Sequence, residues 1–430
     1  MTSSKPLRHA VITAVFICAF LVCVSAALGA QRTIEYMYLA GAEVTEQAQA
    51  TLVASFEAQN PDIKVNRLRV LSGFPDKITA LIATGNAPDV LNLANTYMMS
   101  FADELFLYDL MPLVQNTPEL QFSRIAPPLL EVFTVDGKLF AIPNTAAPSV
   151  YVFNADLFDQ SGLSYPSDLY RQDAWTWSAF REMAKKLTVK TPDGRYLVKG
   201  AAIHLPRTWL YSNGGQEFDD VKRPTRTFYD SELALETVGF LHSMMWEDES
   251  VAMISALTSH IGVNQEMGMA QGKLGMGSVW FSTVTTLAEQ LTTVGLVPYP
   301  KGPSRAGRYA TDFGSYGTAI TKQTGDLDAA WRLCSYIAGP AGSAVAASLP
   351  GRTPPRPVRI TWLPSSVINP EVYSDLLIAG TNRLVSINQN QLQRIIDSQL
   401  QAVWNNTVDP KSALSEITRQ INAFLTQNPQ

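Results

Sequence analysis

The sequence predicts an α/β protein built of two doubly wound lobes. Strand-like and helix-like segments alternate along most of the chain, and this order is typical of a mainly parallel sheet with helices on both faces. The chain has 430 residues, of which 46% are hydrophobic and 17% are charged. A chain of this length and composition suits two large cores rather than one, and it is not a disordered chain.

The first 30 residues have the pattern of a secretory signal. Lys5 and Arg8 precede an apolar stretch from Val11 to Val24, and small residues follow from Ser25 to Ala30. This order predicts export to the periplasm with removal of the signal. An uncleaved membrane anchor is the alternative, because the apolar stretch approaches the ~20 residues that span a bilayer. Cleavage is expected after Ala27, Gly29 or Ala30.

The cysteines and the net charge narrow the class of protein further. Cys18 and Cys23 lie inside the signal and follow large residues, so we expect a soluble protein rather than a lipid-anchored one. Cys334 would then be alone in the mature chain, which excludes an internal disulfide. The formal net charge is −5 and there is no basic run, which argues against nucleic acid as a partner.

The first half of the mature chain begins with three strands and two helices in alternation. Apolar residues alternate in the strands and recur at helical spacing between them. The segment from Gly85 to Pro88 ends the second helix, because glycine accepts a left-handed cap and proline cannot continue a helix. The predicted strands are 33–38, 63–70 and 90–93, and the predicted helices are 45–58 and 77–84.

The second half continues with the same two kinds of element. Two extended segments flank Pro143 and Pro148, and Thr176 is a good N-cap for a helix with an apolar stripe. The chain from about Glu371 onward is expected to be nearly all helical. The extended segments are 138–142, 149–153, 274–279 and 294–299, and the earlier helices begin at 176 and span 231–246 and 326–338.

Seven short motifs occur in an order that resembles a known family. The family is the carbohydrate-type extracellular solute-binding proteins of ABC importers, which includes the maltose- and glycerol-phosphate-binding proteins. The sequence departs from the family pattern at Ala155, Ser178 and Ala179. The motifs that carry the resemblance are Phe56–Val65, Gly85–Val90, Gly137–Pro143, Phe153–Phe158, Thr176–Phe180, Asn213–Gly215 and Gly272–Met276.

The resemblance implies a fold of the periplasmic binding protein type II kind, with two α/β lobes joined by crossing hinge segments. The ligand would lie in a cleft between the two lobes, and its binding would close them. The protein would then deliver the ligand to the permease subunits of an ABC importer. The protein is expected to be a monomer without a cofactor or a metal. The implied boundaries are 1–30 for the signal, 31–143 and 311–347 for lobe 1, 150–298 and 350–430 for lobe 2, and 144–149, 299–310 and 348–349 for the hinges.

Candidate ligand-binding residues follow from the rule that open α/β sheets bind ligands at the carboxyl ends of their strands. Aromatic rings cover the apolar faces of a sugar, while carboxylates, amides and guanidinium groups pair with its hydroxyls. Core packing is the alternative for each aromatic candidate, and a solvated surface position is the alternative for the arginine. The candidates are Tyr38, Glu43, Asn95, Trp209, Trp280, Asp312, Tyr316 and Arg356.

The sequence lacks the motifs of common enzymes, so we expect a binding protein. His204, His242 and His260 have no metal-ligand spacing, and Cys334 lies among apolar residues of a helix. Two other classes stay open. A secreted glycoside hydrolase would need two carboxylates across the cleft, and a sensory binding protein would share the same fold and dock on a receptor.

Overall fold

The structure is a computed structural model that describes residues 31–429 apart from Ala42, Glu104, Leu105, Asn382 and Arg383. The predicted signal segment lies outside the described residues. Within the described residues, no helix combines the length and the apolar character that a membrane crossing needs.

Fourteen strands are present in the described part of the chain. They are β1 Arg32–Leu39, β2 Ile63–Val70, β3 Val90–Ala94, β4 Thr134–Val135, β5 Lys138–Leu139, β6 Ile142–Asn154, β7 Val189–Lys190, β8 Tyr196–Ile203, β9 Val251–Met253, β10 Leu274–Trp280, β11 Val294–Val297, β12 Thr311–Ile320, β13 Val367–Ile368 and β14 Gly380–Thr381.

The α-helices alternate with these strands and then dominate the end of the chain. They are α1 Glu43–Gln59, α2 Phe74–Ala83, α3 Met98–Asp103, α4 Met111–Gln115, α5 Pro127–Phe133, α6 Ala155–Gln160, α7 Pro166–Arg171, α8 Trp177–Leu187, α9 Pro206–Ser212, α10 Glu232–Trp246, α11 Leu257–Ile261, α12 Gln265–Ala270, α13 Val284–Ala288, α14 Leu327–Ala338, α15 Pro340–Ala346, α16 Val372–Ala379, α17 Gln389–Trp404 and α18 Pro410–Gln427. Short 3-10 helices cover Asn95–Tyr97, Pro118–Leu120, Phe122–Arg124, Ile254–Ala256 and Phe281–Thr283.

One mixed sheet connects the two halves of the protein. Its main path has the strand order β2-β1-β3-β12-β6-β10-β8-β7. The pairs β1–β2, β1–β3, β8–β9, β8–β10, β11–β13 and β12–β14 are parallel. Strand β6 pairs antiparallel with β10, β11 and β12, and β12 also pairs antiparallel with β3. The predicted α/β class is therefore confirmed, and the antiparallel pairs of β6 and β12 join the parallel pairs of the two halves.

Separate hydrophobic cores form on the two sides of the crossing strands, β6 and β12. The core of the first side joins β1, β3, α1, α2 and α14, and it contains Phe56 and the fully buried Cys334. The core of the second side joins β6, β8, α8, α10, α17 and α18 around Phe180 and Trp209. Helix α16 packs with β10 and β11 in another cluster of that side. The residue boundaries given above for the two lobes stay predictions.

Local sequence signals set the starts of several helices. Thr176, Ser231 and Asp326 cap α8, α10 and α14, and each side-chain oxygen accepts a hydrogen bond from a backbone N–H in the first turn. The apolar residues of α8 that follow its cap are buried, as the stripe predicted.

Strand β6 differs from the prediction, which placed two extended segments around a proline-bounded gap. The structure has one strand of 13 residues, and Pro143 and Pro148 both lie inside it. Pro148 is opposite Phe313 and Pro143 is opposite Gly317, with a register shift in β12 between Tyr316 and Gly317. Proline cannot donate to a ladder, but it is tolerated beside irregular pairing of this kind.

Candidate functional site

A cavity of about 560 Å³ lies where the carboxyl ends of the strands from the two sides face each other. Thr96, just after β3, lines it from the first side, and residues 204–207, just after β8, line it from the second. The Gln389 side chain donates a hydrogen bond to the Thr96 carbonyl oxygen at 2.9 Å, which connects α17 to the first side. This position at the strand ends is the one that open α/β sheets use for ligands.

A smaller cavity of about 290 Å³ adjoins the first one. The two cavities share His204 and Ile254, and the smaller cavity reaches Trp280 at the end of β10. Burial, together with the nearby Arg207 charge, lowers the pKa of His204. The two cavities together offer both polar groups and apolar surface, with the Trp280 ring in the smaller one.

Arg207 and Asp312 form a buried ion pair at the wall of the larger cavity. The Arg207 Nη2 atom lies 3.0 Å from Asp312 Oδ2, and Asp312 is fully buried on the crossing strand β12. Burial alone would lower the pKa of Arg207, but the Asp312 and Glu217 carboxylates outweigh it and raise that pKa. Arg207 therefore stays charged and is held in one orientation.

The backbone before Arg207 is strained. Leu205 has a φ of 22° and a ψ of 72°, which non-glycine residues rarely adopt. Pro206 follows at the first position of α9, where its missing N–H costs nothing. Such strain often marks functional sites, and here it directs the start of α9 toward the cavity.

Glu217 belongs to the same polar wall. Its Oε2 atom accepts a hydrogen bond from the Tyr211 hydroxyl at 2.5 Å, and its Oε1 atom accepts one from the Tyr229 hydroxyl at 2.6 Å. Burial and the Glu217 charge raise the pKa of both phenols, so both act as neutral donors. The carboxylate is thus fixed by two donors, as expected of a preorganised binding site.

One face of α17 completes the larger cavity. Four polar side chains line it at intervals of four residues, which places them on one side of the helix. They are Gln389, Gln393, Asp397 and Gln401. We did not predict these residues from the sequence. Their i, i+4 spacing indicates a polar helix face, but an ordinary solvated helix has the same pattern.

Four of the predicted site residues lie at or beside the cavities. Trp280 is half-buried and lines the smaller cavity, and Asp312 holds Arg207. Asn95 precedes Thr96 and is buried, and its Nδ2 atom has no hydrogen-bond partner among the described residues. Tyr316 is half-buried on β12, opposite the last residue of β3. The structure therefore places Trp280 and Asp312 at the cavities, and Asn95 and Tyr316 beside the β3–β12 pairing.

The other four predicted residues are not brought to the cavities. Tyr38 is 2% exposed and donates from its hydroxyl to Glu46 at 2.9 Å, whereas Glu43 is exposed and pairs with Gln47 of its own helix. Trp209 is fully buried, and its ring meets those of Tyr151 and Phe180 edge-on in the core of the second side.

Arg356 is the fourth of these residues. It is 3% exposed and donates through Nη2 to the carbonyl oxygens of Ala338 at 2.6 Å and Leu120 at 3.2 Å. These are contacts that hold the return crossing to the first side, which explains its burial away from the cavities.

Comparison with known proteins defines the class first. The structure superposes on the sugar-binding protein MalE of Xanthomonas citri with a TM-score of 0.76 and 19% sequence identity. The superposition covers 92% of this chain and 98% of that one. An ABC substrate-binding protein of Listeria monocytogenes in complex with cycloalternan gives a TM-score of 0.72 at 21% identity, with 92% and 99% of the two chains covered. These likenesses identify the fold as two-lobed, of the type found in periplasmic binding proteins, as predicted.

The sequence then identifies the family. The model of the bacterial extracellular solute-binding protein family matches residues 34–344, so the chain belongs to that family. An uncharacterised lipoprotein of Streptomyces antibioticus is 27% identical over 261 residues, which are 58% of this chain and 54% of that protein. A putative binding protein of Brucella abortus is 20% identical over 66% of each chain. The chain thus spans about half to two-thirds of the length of these curated relatives. Membership of an extracellular family supports an exported protein.

Proposed function

We propose that the chain is the substrate-binding component of an ABC importer, which binds a sugar, an oligosaccharide or a related polyol or sugar phosphate and delivers it to the membrane permease. The observation that carries this proposal is the polar cavity between the two sides, lined by Arg207, Glu217 and the α17 glutamines. Family membership supports the binding role, and two structural neighbours are described as a sugar-binding protein and as a complex with cycloalternan.

A sugar suits the chemistry of the cavities. Its hydroxyls need both donors and acceptors in fixed positions, which Arg207, Glu217 and Gln393 offer. Arg207 is held by Asp312 at 3.0 Å, and its Nη1 atom also reaches Gln393 Oε1 at 3.5 Å. The Trp280 ring in the adjoining cavity offers a flat apolar surface for the C–H face of a pyranose.

Binding without turnover is part of the proposal. Both oxygens of Glu217 already accept hydrogen bonds from tyrosines, and Asp312 is tied to Arg207. Neither carboxyl group is therefore arranged as one of two opposed groups flanking a scissile bond. The protein would act as a monomer in the periplasm after removal of its signal.

A ligand screen tests the proposal directly. The mature protein, from residue 31, would be heated with neutral sugars, oligosaccharides, polyols and sugar phosphates, and ligands that raise Tm would be confirmed by calorimetry. Saturable 1:1 binding of at least one of them without release of product is expected. Absence of binding across these classes would contradict the transport role, and steady hydrolysis would favour a glycoside-active enzyme.

A further inference from the structure

Arg352 is a buried arginine without an ionic partner in the described part of the chain. Its residue is 7% exposed, and no described carboxylate lies within ion-pair distance of its guanidinium. Its Nε atom is sealed from solvent and has no hydrogen-bond partner. The partly buried Arg207 has Asp312 as its partner. Arg356 donates through Nη2 to two carbonyl oxygens, although its own Nε and Nη1 atoms also have no hydrogen-bond partner among the described residues. A buried charge without a partner is costly, so its presence needs an explanation.

Arg352 lies where the two sides of the molecule meet. Gly351, with a φ of 74°, packs beside the Ser282 carbonyl oxygen, just after Trp280 at the end of β10. The next residue, Thr353, accepts a hydrogen bond from the backbone N–H of Ala146 in the crossing strand β6 at 2.7 Å. Arg352 is therefore held by its backbone between the end of β10 and the crossing.

The surroundings of the Arg352 side chain connect it to the predicted site. Burial lowers the pKa of this guanidinium, and the nearby phenols of Tyr36 and Tyr316 act in the opposite direction. Tyr316 is paired with Ala94, the residue before Asn95. Arg352 thus belongs to the same junction as Asn95 and Tyr316, at the carboxyl ends of the strands of the first side.

This junction has several polar atoms that no described residue satisfies. Besides Arg352 Nε, the buried Asn95 Nδ2, Ser315 Oγ and Thr353 Oγ1 atoms have no hydrogen-bond partner in the part of the chain described. Ser315 faces Ala146 across the β6–β12 ladder, and Ala146 is the residue bonded to Thr353. All four groups can donate, and the guanidinium is cationic, so each of them suits an acceptor atom of an anion.

We propose that Arg352 recognises an anionic group, a carboxylate or a phosphate, on the sugar ligand, and that the substrate class is therefore an acidic sugar. This inference rests on the proposed transport function. The planar guanidinium fork matches both carboxylate and phosphate oxygens, and the ligand charge would provide the partner that the protein itself does not supply. In the ligand-free protein, the unpaired Arg352 charge lowers the free energy of unfolding, and ligand binding would compensate for this.

The test compares charged and neutral probes on three proteins. Mature wild type, Arg352→Met and the control Arg181→Met would be titrated with glucuronate, trigalacturonate and glucose 6-phosphate, and with glucose and maltotriose as neutral counterparts. Arg181 is an arginine on α8 that differs from Arg352 in having an ion-pair partner, Asp248. Binding would be measured by calorimetry, and the Tm of each ligand-free protein would be recorded.

We expect wild type to bind the charged probes more tightly than their neutral counterparts. Arg352→Met should bind the charged probes about tenfold more weakly, or weaker still, because hydrogen bonds between charged groups are strong. Arg181→Met should keep the preference but lower Tm, because Asp248 loses its nearest ion-pair partner and keeps only Lys185 at 3.9 Å. Arg352→Met should leave Tm unchanged or raise it. The uronate and phosphate probes separate the two sources of charge.

Three other outcomes would contradict the inference. Binding of neutral probes without a preference for charge, or a preference that survives in Arg352→Met, would overturn the inference and leave the proposed transport function standing. A clear fall in the Tm of ligand-free Arg352→Met would assign a structural role to the guanidinium and also overturn it. Failure of every probe to bind would contradict both proposals.

Discussion

Arg207 at the start of α9 is ion-paired to Asp312 on the crossing strand β12, with Nη2 and Oδ2 3.0 Å apart. The pair links the second side of the molecule to a strand shared by both sides. Asp312→Ala would leave the Arg207 charge buried and unpaired, and the free energy of unfolding should fall by about 3–5 kcal/mol. Urea denaturation of the purified protein measures this change.

Asp173→Ala is the control for this prediction. Asp173 pairs with Lys301, but its side chain is 72% exposed, so its loss should lower the free energy of unfolding far less than the loss of Asp312 does. If the two substitutions lowered the free energy of unfolding equally, the Arg207–Asp312 pair would stabilise the fold no more than an exposed ion pair does.

Trp280 should contribute stacking energy to sugar binding. It lines the smaller cavity at the end of β10, so Trp280→Ala should weaken binding by about 1–3 kcal/mol while the protein stays folded. Calorimetry with a ligand verified on wild type measures this loss. Trp246→Ala is the matched control, because Trp246 is 46% exposed at the end of α10 and does not line either cavity. Unchanged affinity in folded Trp280→Ala would remove this ring from the site.

Lys199 should make stability depend on pH above neutrality. Burial, with a smaller contribution from the Lys190 charge, lowers the pKa of Lys199 to about 7. The unfolded chain therefore binds more protons between pH 7 and pH 10, so the free energy of unfolding should rise with pH in this range, by at most ~1.4 kcal/mol per pH unit. Denaturation at pH 7, 8 and 9 measures the slope.

Substitution of Lys199 separates its contribution from that of other groups. Lys199→Met should flatten the slope, whereas the exposed Lys186→Met should keep it. A slope that persists in Lys199→Met would mean that another group titrates in this range.

Ligand binding should close the two lobes. The change in backbone angles is expected in 142–149, 297–309 and 349–357, around the hinge segments 144–149, 299–310 and 348–349 given above. Proline restricts these crossings to few conformations, so the flanking residues absorb the change. Ligand would contact both lobes only in the closed state, which supplies the energy of closure. Small-angle scattering should therefore detect a smaller radius of gyration with ligand, and an identical value at saturation would argue against this mechanism.

Export should remove the first segment of the chain. The basic, apolar and small-residue order predicts cleavage between Ala26 and Arg32. N-terminal sequencing of protein recovered from the periplasm should begin within that window. Protein that still begins near Met1 would instead indicate a retained membrane anchor.

Local chemistry made most secondary structure predictable. The caps at Thr176, Ser231 and Asp326 and the apolar stripe of α8 are decided by residues within a few positions of each other. Strand β6 was less predictable, because proline tolerance depends on the partner strand β12, which lies more than 150 residues away in the sequence.

The site was predictable only in part, for a related reason. Trp280 is the last residue of β10 and Asn95 directly follows β3, so the strand-end rule finds both. Trp209 also follows a strand region, but three-dimensional packing turns its ring into the core, where it meets Phe180. Glu217 and the polar face of α17 reach the cavity through tertiary folding, and their sequence pattern resembles that of an ordinary surface.

The continuity of strand β6 has a consequence for how the chain folds. Its first part pairs with β12 and its second part pairs with β10 and β11, so the same 13 residues complete the sheet on both sides. Strand β12, which lies between β3 and β6, begins only at Thr311, after the strands β8 to β11. The first side therefore cannot finish its sheet during synthesis until most of the second has emerged. We expect the two sides to acquire their native structure together, in a slow step governed by distant contacts.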